Sequence, residues 1–369
     1  MPVRRHPSVS NRLMKREQKK QHRAGVRIAV AVILACLIVL TGLWVMGRPV
    51  GGAKGKSVLV EIPAGSSAKT IASTLKDKSL IRSETVFMLQ ARLTGSAAKF
   101  QAGSYLLTKS QSTRGIIRTI AEGKTASHTF TLEEGEPIYK LAEQLEKDGV
   151  CTKAAFYKEI EKGSFHYDFV TARLPSGTER LEGLLYPDTY SVDLNATAHD
   201  VVNRMLHRFD EEVYQKYAVQ AKKQGQSFYK IVIKASIIQK EASTKEDMRK
   251  VSSVIDNRMQ KGMPLQMDSI VSYIHKEDKI RATYSDIAVD SDYNPYKNTG
   301  LPPGPICSPG LTAIKAALSP ADTGYLYFVA SPKMDGTNVF SKTYKAFSKD
   351  KKAFDKAYEK YIKEHPGAK

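Results

Sequence analysis

Tyr229-Lys-Ile-Val-Ile-Lys-Ala-Ser-Ile-Ile-Gln-Lys-Glu241-Ala-Ser243 is an apolar helical pattern that ends on one acid. Ile231, Ala235, Ile238 and Ala242 recur at i, i+4, i+7 and i+11, one stripe of a 3.6-residue helix, which predicts a helix facing a core. Glu241 lies about 100° round the axis from Ala242 and shares a face with Ile237 and Ile238, so its carboxyl borders apolar packing. Burial penalises the ionised form of an acid and turns such a carboxyl into a proton donor near neutral pH. Spacing alone leaves open an ordinary surface glutamate at a helix end.

Downstream, Thr244 with an acid three residues later, Asp247, is a helix-start signal, although Asp is weaker there than the usual Glu. Val251, Val254, Ile255, Arg258 and Met259 continue that helix to a stop at Gly262. Glu241 therefore falls at a junction of two helices, a position that can open onto a cleft. Pro264-Leu-Gln266-Met-Asp268-Ser-Ile-Val-Ser-Tyr273 brings an amide and a second carboxylate. Tyr293-Asn294-Pro-Tyr296-Lys-Asn-Thr-Gly300-Leu-Pro-Pro-Gly-Pro-Ile306 places aromatic and amide side chains on a proline-stiffened loop. Such side chains suit sugar rings, which stack and offer hydroxyls and acetamides; Pro and Gly are equally ordinary turn punctuation. A helix over Leu311 to Leu318, a strand over Tyr325 to Ala330 and a Lys-rich amphipathic helix from Lys342 to Lys363 complete this half.

Upstream the chain repeats itself. Val58, Val60 and Ile62 alternate as a strand, followed by Gly65, Ile71, Ala72 and Leu75; His128 to Leu132 is followed by Gly135, Ile138, Leu141, Ala142 and Leu145. Gly65, Ala72 and Leu75 match Gly135, Ala142 and Leu145 at an offset of 70, whereas Tyr105 matches Tyr190 at 85, so the second copy has gained about 15 residues. Each copy reads as strand, helix, helix, strand, helix, with Ser or Thr caps. Small modules of this kind bind sugars or peptides in some proteins, and a duplication without binding fits the pattern as well.

The formal charge is +19, and residues 1–27 hold a net +8 of it, from nine basic residues against Glu17. Ile28 to Met46 is a 19-residue uncharged run, long enough for a hydrocarbon layer of about 30 Å. The basic flank lies on its N-terminal side, so the positive-inside bias predicts a cytoplasmic N-terminus and an exported remainder. A cleaved signal peptide would have a shorter apolar core and a small-residue cleavage site. Next to a span the basic tail reads as a topology signal and a contact for anionic lipid rather than for nucleic acid. Cys151 and Cys307, the two cysteines outside the span, make no disulfide framework, and one long-range bridge is the only pairing open to them. No Ser-His-acid set, phosphate loop or metal-ligand spacing is legible, so neither cofactor nor metal is expected. General acid–base work on a glycosidic bond needs the least machinery, and for a two-carboxylate hydrolase Asp268 is the nearest partner.

Taken together, Ala-Ser-Ile-Ile-Gln-Lys-Glu241-Ala, Val-Ile-Asp-Asn-Arg258-Met, Leu265-Gln-Met-Asp268-Ser-Ile-Val, Tyr293-Asn-Pro-Tyr, Gly300-Leu-Pro-Pro-Gly-Pro-Ile306, Tyr325-Leu-Tyr-Phe-Val329 and, upstream, Leu181-Glu-Gly-Leu-Leu-Tyr-Pro-Asp-Thr-Tyr190 resemble the MltG-type (YceG-like) endolytic murein transglycosylases over residues 57–345. The resemblance implies an α+β fold with a single transmembrane helix, a small LysM-like α/β module and a catalytic domain carrying its Glu at a helix end. It implies cleavage of the MurNAc–GlcNAc β-1,4 bond without water, on nascent strands during wall elongation. Glu241 matches the catalytic position and would act first as acid, then as base on the MurNAc 6-hydroxyl, closing a 1,6-anhydro ring. Gln266, Asp268, Tyr293, Asn294 and Tyr296 would then line the substrate groove. Two departures stand out: Gln239-Lys-Glu241 where the family commonly has Glu-Lys-Glu, and Gly336-Thr-Asn338-Val-Phe340 where it often has Gly-Gly-His-x-Phe.

The expected layout is a basic cytoplasmic tail (1–27), the span (28–46), a tether (47–56), the LysM-like module (57–125), a catalytic domain (126–345, its first part to 225 related to that module) and a basic terminal helix (346–369). The expected partners are peptidoglycan strands, the membrane and cell wall synthases, with no nucleic acid. A non-catalytic wall-binding scaffold and a muramidase-type hydrolase are the alternatives.

Overall fold

The computed structural model describes residues 9–51, 56–277 and 282–365. The first residues of the basic tail, the middle of the tether and the last four of the terminal segment lie outside the described residues. The chain forms two compact units, Met1–Ser127 and His128–Lys369, and its class is mixed α+β.

In the first unit, α1 (Val9–Met46) contains the stretch Ala29–Met46, apolar and long enough to cross a membrane and not covered by protein. Then come β1 (Ser57–Ile62), α2 (Ala68–Asp77), α3 (Glu84–Leu93), one 3-10 turn, β2 (Gly103–Thr108) and α4 (Thr113–Ala121). β1 and β2 pair antiparallel, with Ser57 opposite Thr108 and Ile62 opposite Gly103. Alternation sends Val60 and Ile62 inward and leaves Leu59 exposed. Helices this short are marginal alone; they hold through burial of Ile71, Leu75, Phe87, Ile116 and Ile120 around Tyr105. Ser67, Ser83 and Ser112 start them, each hydroxyl accepting a first-turn N–H.

The second unit begins with the same order: β3 (Ser127–Leu132), α5 (Ile138–Lys147), α6 (Lys153–Lys162), β4 (Asp188–Asp193) and α7 (Ala198–Phe209). β3 and β4 are neighbours in one sheet. Details repeat as well as order. Gly65 (φ 78°) and Gly135 (φ 84°) make the same left-handed turn. The Tyr105 hydroxyl donates to the Gln101 carbonyl at 2.8 Å, and the Tyr190 hydroxyl to the Tyr186 carbonyl at 2.5 Å.

A π-helical turn (Asp210–Tyr214) joins α7 to α8 (Gln215–Lys223). The rest is α9 (Phe228–Glu241), α10 (Lys245–Gln260), α11 (Asp268–His275), α12 (Tyr284–Ile287), α13 (Leu311–Leu318), β5 (Tyr327–Ala330), β6 (Asn338–Ser341) and α14 (Tyr344–Glu364). The apolar stripe read from the sequence understates α9, which is buried at every position from Ile231 to Ile238 between α10, α11 and α13. Helices buried all round usually carry no charge, yet Lys234 is inside; its ammonium donates to Asp256 at 2.7 Å, and burial lowers its pKa. One hydrophobic cluster runs from Phe130 to Leu318, so the second copy and the helices around α9 share a core.

One expectation is adjusted. The strand expected over Tyr325 to Ala330 starts at Tyr327, and its partner β6 was not foreseen; four residues after a Gly336 turn carry too little periodicity to read. Cys151 and Cys307 are free, the buried Cys307 thiol donating to the Ser236 carbonyl at 3.2 Å.

Candidate active site

Glu241 is the last residue of α9. Ala242 turns extended (φ −147°, ψ 143°), and Thr244 caps α10 by accepting the Asp247 N–H, so the helix must stop where the acid stands. The Glu241 side chain is half-buried, and the Ser269 hydroxyl donates to its Oε1 at 2.5 Å. Burial pushes the carboxyl above its usual range; the Ser269 hydroxyl and backbone N–H pull the other way, and the neighbouring Asp268 charge reinforces burial. Two helix ends meet at this carboxyl, the C-terminus of α9 that carries it and the N-terminus of α11 that holds Ser269. A C-terminus disfavours an anion and an N-terminus favours one, each by about 0.3–1 kcal/mol. The result is a carboxyl protonated to higher pH than usual and already hydrogen-bonded.

Asp268 opens α11 beside it, but both of its oxygens are engaged. The Tyr296 hydroxyl donates to Oδ1 at 2.5 Å and the Ala282 N–H to Oδ2 at 3.2 Å. Burial, then Asp268, pushes the Tyr296 hydroxyl pKa up. Gln266 is exposed in a left-handed conformation (φ 51°), with its N–H on the Pro295 carbonyl at 3.0 Å. Arg258 clamps that bend from α10, donating to the Pro264 and Leu265 carbonyls at 3.1 and 2.7 Å, to Gln266 Oε1 at 3.3 Å and to the Leu326 carbonyl at 2.7 Å.

The structure thus gathers Glu241, Asp268, Tyr296 and Gln266, and separates off the other two nominated groove residues. Asn294 is fully buried, its amide donating to the Ile287 and Val289 carbonyls at 2.9 and 2.7 Å while its oxygen accepts the Tyr296 N–H at 3.0 Å. Its hydrogen-bonding groups are spent on shaping the loop, and none is left for a sugar. Tyr293 packs on Tyr273 with ring centroids 5.7 Å apart, and its hydroxyl is buried without a partner.

Three contributors escaped the sequence reading. Ser269 sat inside a quoted motif without a role. Asp247 does not complete a capping box; its Oδ2 accepts the Asn338 N–H at 2.8 Å instead. Asn338, at the start of β6, also donates its amide to the Glu241 carbonyl at 2.9 Å. The residue standing where the resemblance expects His thus ties the β5–β6 hairpin to the end of α9. Gln239, at the other departure, accepts the Gly310 N–H at 3.0 Å, a bond a carboxylate would also make. Glu134 crowds the same Gly310, so an acid at 239 would stand near a like charge. Among the described residues no group of three or more His, Cys, Asp or Glu side chains is arranged to hold a metal.

Glu241 is thus a half-buried acid at a helix junction, held by the Ser269 hydroxyl and flanked by the engaged carboxylate of Asp268. The chain belongs to the YceG-like family, whose model matches residues 60–353. Among relatives, the endolytic murein transglycosylase of Bacillus subtilis is 35% identical over 332 residues, 86% of this chain and 91% of that protein. The endolytic murein transglycosylase of Streptococcus pneumoniae D39 is 31% identical over 310 residues, and the match spans 56% of that longer protein. A YceG-like protein of Listeria monocytogenes with a crystal structure superposes with a TM-score of 0.55 at 33% identity, covering 80% of this chain and 99% of that one.

Proposed function

We propose that this chain is a membrane-anchored endolytic murein transglycosylase in which Glu241 alone serves as acid and then as base. Its carboxyl proton passes to the oxygen linking MurNAc to GlcNAc as the C1–O bond breaks. The resulting carboxylate takes the proton of the MurNAc 6-hydroxyl, whose oxygen bonds to C1 and closes the 1,6-anhydro ring. Atoms balance without water, and Glu241 ends protonated, ready for another turn. The observation that carries this is the pair of unequal carboxylates. Glu241 has its pKa raised by burial, whereas Asp268 has each oxygen occupied by a donor and is a poor second carboxylate for hydrolysis.

Asp268 and Tyr296 then border the groove, with Gln266 at its edge. Residues 57–125 of the first unit read as a LysM-like module, the apolar half of α1 as a single span, and the chain from residue 47 onward as lying outside the cytoplasmic membrane. Growing strands and the synthases that make them are the fitting substrate and partners. The test uses full-length protein in detergent on purified glycan. Glu241→Gln, folded by circular dichroism, should lose about 10²–10⁴-fold in rate, the range for a general acid–base group; cleavage at the wild-type rate would defeat the assignment.

A further inference from the structure

The two copies differ at one point that matters to Glu241. In the first, α2 starts on Ser67, whose hydroxyl accepts the Thr70 N–H at 3.1 Å. In the second, the same place before α5 is Pro137, which has no side-chain acceptor. A helix start buried without an acceptor is costly. The acceptor comes from 44 residues away: the Glu182 carboxyl takes the Ile138 N–H at 3.2 and 3.1 Å from its two oxygens. The offset that aligns Tyr105 with Tyr190 puts Ala97 opposite Glu182, so the first copy has no such acid.

Glu182 is 1% exposed and also accepts the Tyr273 hydroxyl at 3.2 Å. Tyr273 lies on α11, four residues after Ser269, and residues at that spacing share a helix face. The same short helix therefore grips Glu182 through one side chain and Glu241 through the other. Gly183 pins the arrangement from below. It is left-handed (φ 76°), and a Cβ there would come within 2.6 Å of Pro305 and 3.1 Å of Val232 on α9. The titratable groups around Glu182 are Glu179 beside it, Tyr157 on α6, Tyr229 on α9, Tyr273 on α11, Tyr293 and Cys307, with no cation among them. Burial accordingly holds its pKa up, at about 8, so near neutral pH it is a neutral hydrogen-bonding group.

Building on the assignment of Glu241 as the acid–base group, we infer that Glu182 is a positioning residue for Glu241, acting through Tyr273 and the α11 backbone to place Ser269. Its carboxyl sets how deep α11 sits, and α11 sets where the Glu241 carboxyl is held.

The experiment measures kcat and KM on purified glycan with full-length protein in detergent, for Tyr273→Phe, Glu182→Ala, Glu182→Gln and Glu241→Gln. Displacing a catalytic group by a fraction of an ångström lowers turnover without weakening distant glycan contacts, so Tyr273→Phe and Glu182→Ala should lose about tenfold or more in kcat with KM within about twofold. Glu182→Gln, which mimics the protonated acid, should recover most of that loss. Wild-type kcat in folded Tyr273→Phe and Glu182→Ala, with only thermal stability reduced, overturns the inference and leaves a purely structural Glu182. Should Glu182→Ala not fold, Tyr273→Phe decides alone. Failure of the wild type to cleave, or full activity of Glu241→Gln, would instead sink the proposed function and is read separately.

Discussion

Replacing the Glu182 carboxyl by an amide should remove a pH dependence from the stability of the second unit. The carboxyl rises from 4.5 to about 8 on folding, chiefly through burial, while Ile138, Tyr273 and Gly183 donate to it. Between those values the folded chain holds a proton that the unfolded chain has released. Unfolding free energy must then fall as pH rises, by about 1.4 kcal/mol per pH unit for one such group. Its contribution is complete below the unfolded pKa and gone once pH passes the folded one. Over the full window this reaches roughly 5 kcal/mol, comparable with the total stability of a small domain. Glu182→Gln keeps the size and an acceptor but carries no proton to release. Urea unfolding of full-length protein in detergent, followed by tyrosine circular dichroism between about pH 5 and pH 7, should show the wild type losing about 1.4 kcal/mol per unit more than the variant. Parallel stability curves would refute the reasoning, because they would mean that Glu182 folds with the same proton affinity it has unfolded.

Other outcomes follow from single contacts. Ser269→Ala removes a donor that favours ionised Glu241, so the alkaline fall in kcat should move to higher pH; an acid shift in the pH–rate profile would contradict the geometry. Asn338→Ala frees the Glu241 carbonyl from a 2.9 Å bond and should lower kcat by about tenfold with little change in melting temperature, measured by the same glycan assay and a thermal scan. Gly183→Ala should cost at least about 2 kcal/mol in urea unfolding, since strain and a clash combine. Gly177→Ala, with a similar φ of 85° and open space around it, should cost about 1 kcal/mol.

Much of the scaffold was legible because its signals are local. Ser and Thr caps lie three residues from the N–H groups they serve, and the strand alternation of β1 and the helix periods of α2 and α5 repeat within ten residues. The last position of α9 was readable for the same reason. What surrounds it was not. Ser269 lies 28 residues from Glu241, Asn338 lies 97 away, and Tyr273 is 91 from Glu182; no periodicity encodes such distances. The loop carrying Tyr293, Asn294 and Tyr296 shows a different limit. Its composition suited sugars, but a turn without regular structure must satisfy its own backbone groups. Asn294 is consumed in doing so, Tyr293 is consumed by packing, and only Tyr296 reaches toward the acid through Asp268. The cap supplied by Glu182 was hidden for the converse reason: Pro137 looks like an ordinary turn residue until the two copies are compared in three dimensions.

The claim on which everything rests is that Glu241 works alone and without water. Full-length protein digesting purified glycan in water enriched with oxygen-18, with products weighed by mass spectrometry, tests it most directly. Fragments ending in 1,6-anhydro-MurNAc, lighter by one water than reducing ends and free of the label, are the predicted result. Reducing-end MurNAc carrying oxygen-18 would contradict it and would make Glu241 half of a hydrolytic pair.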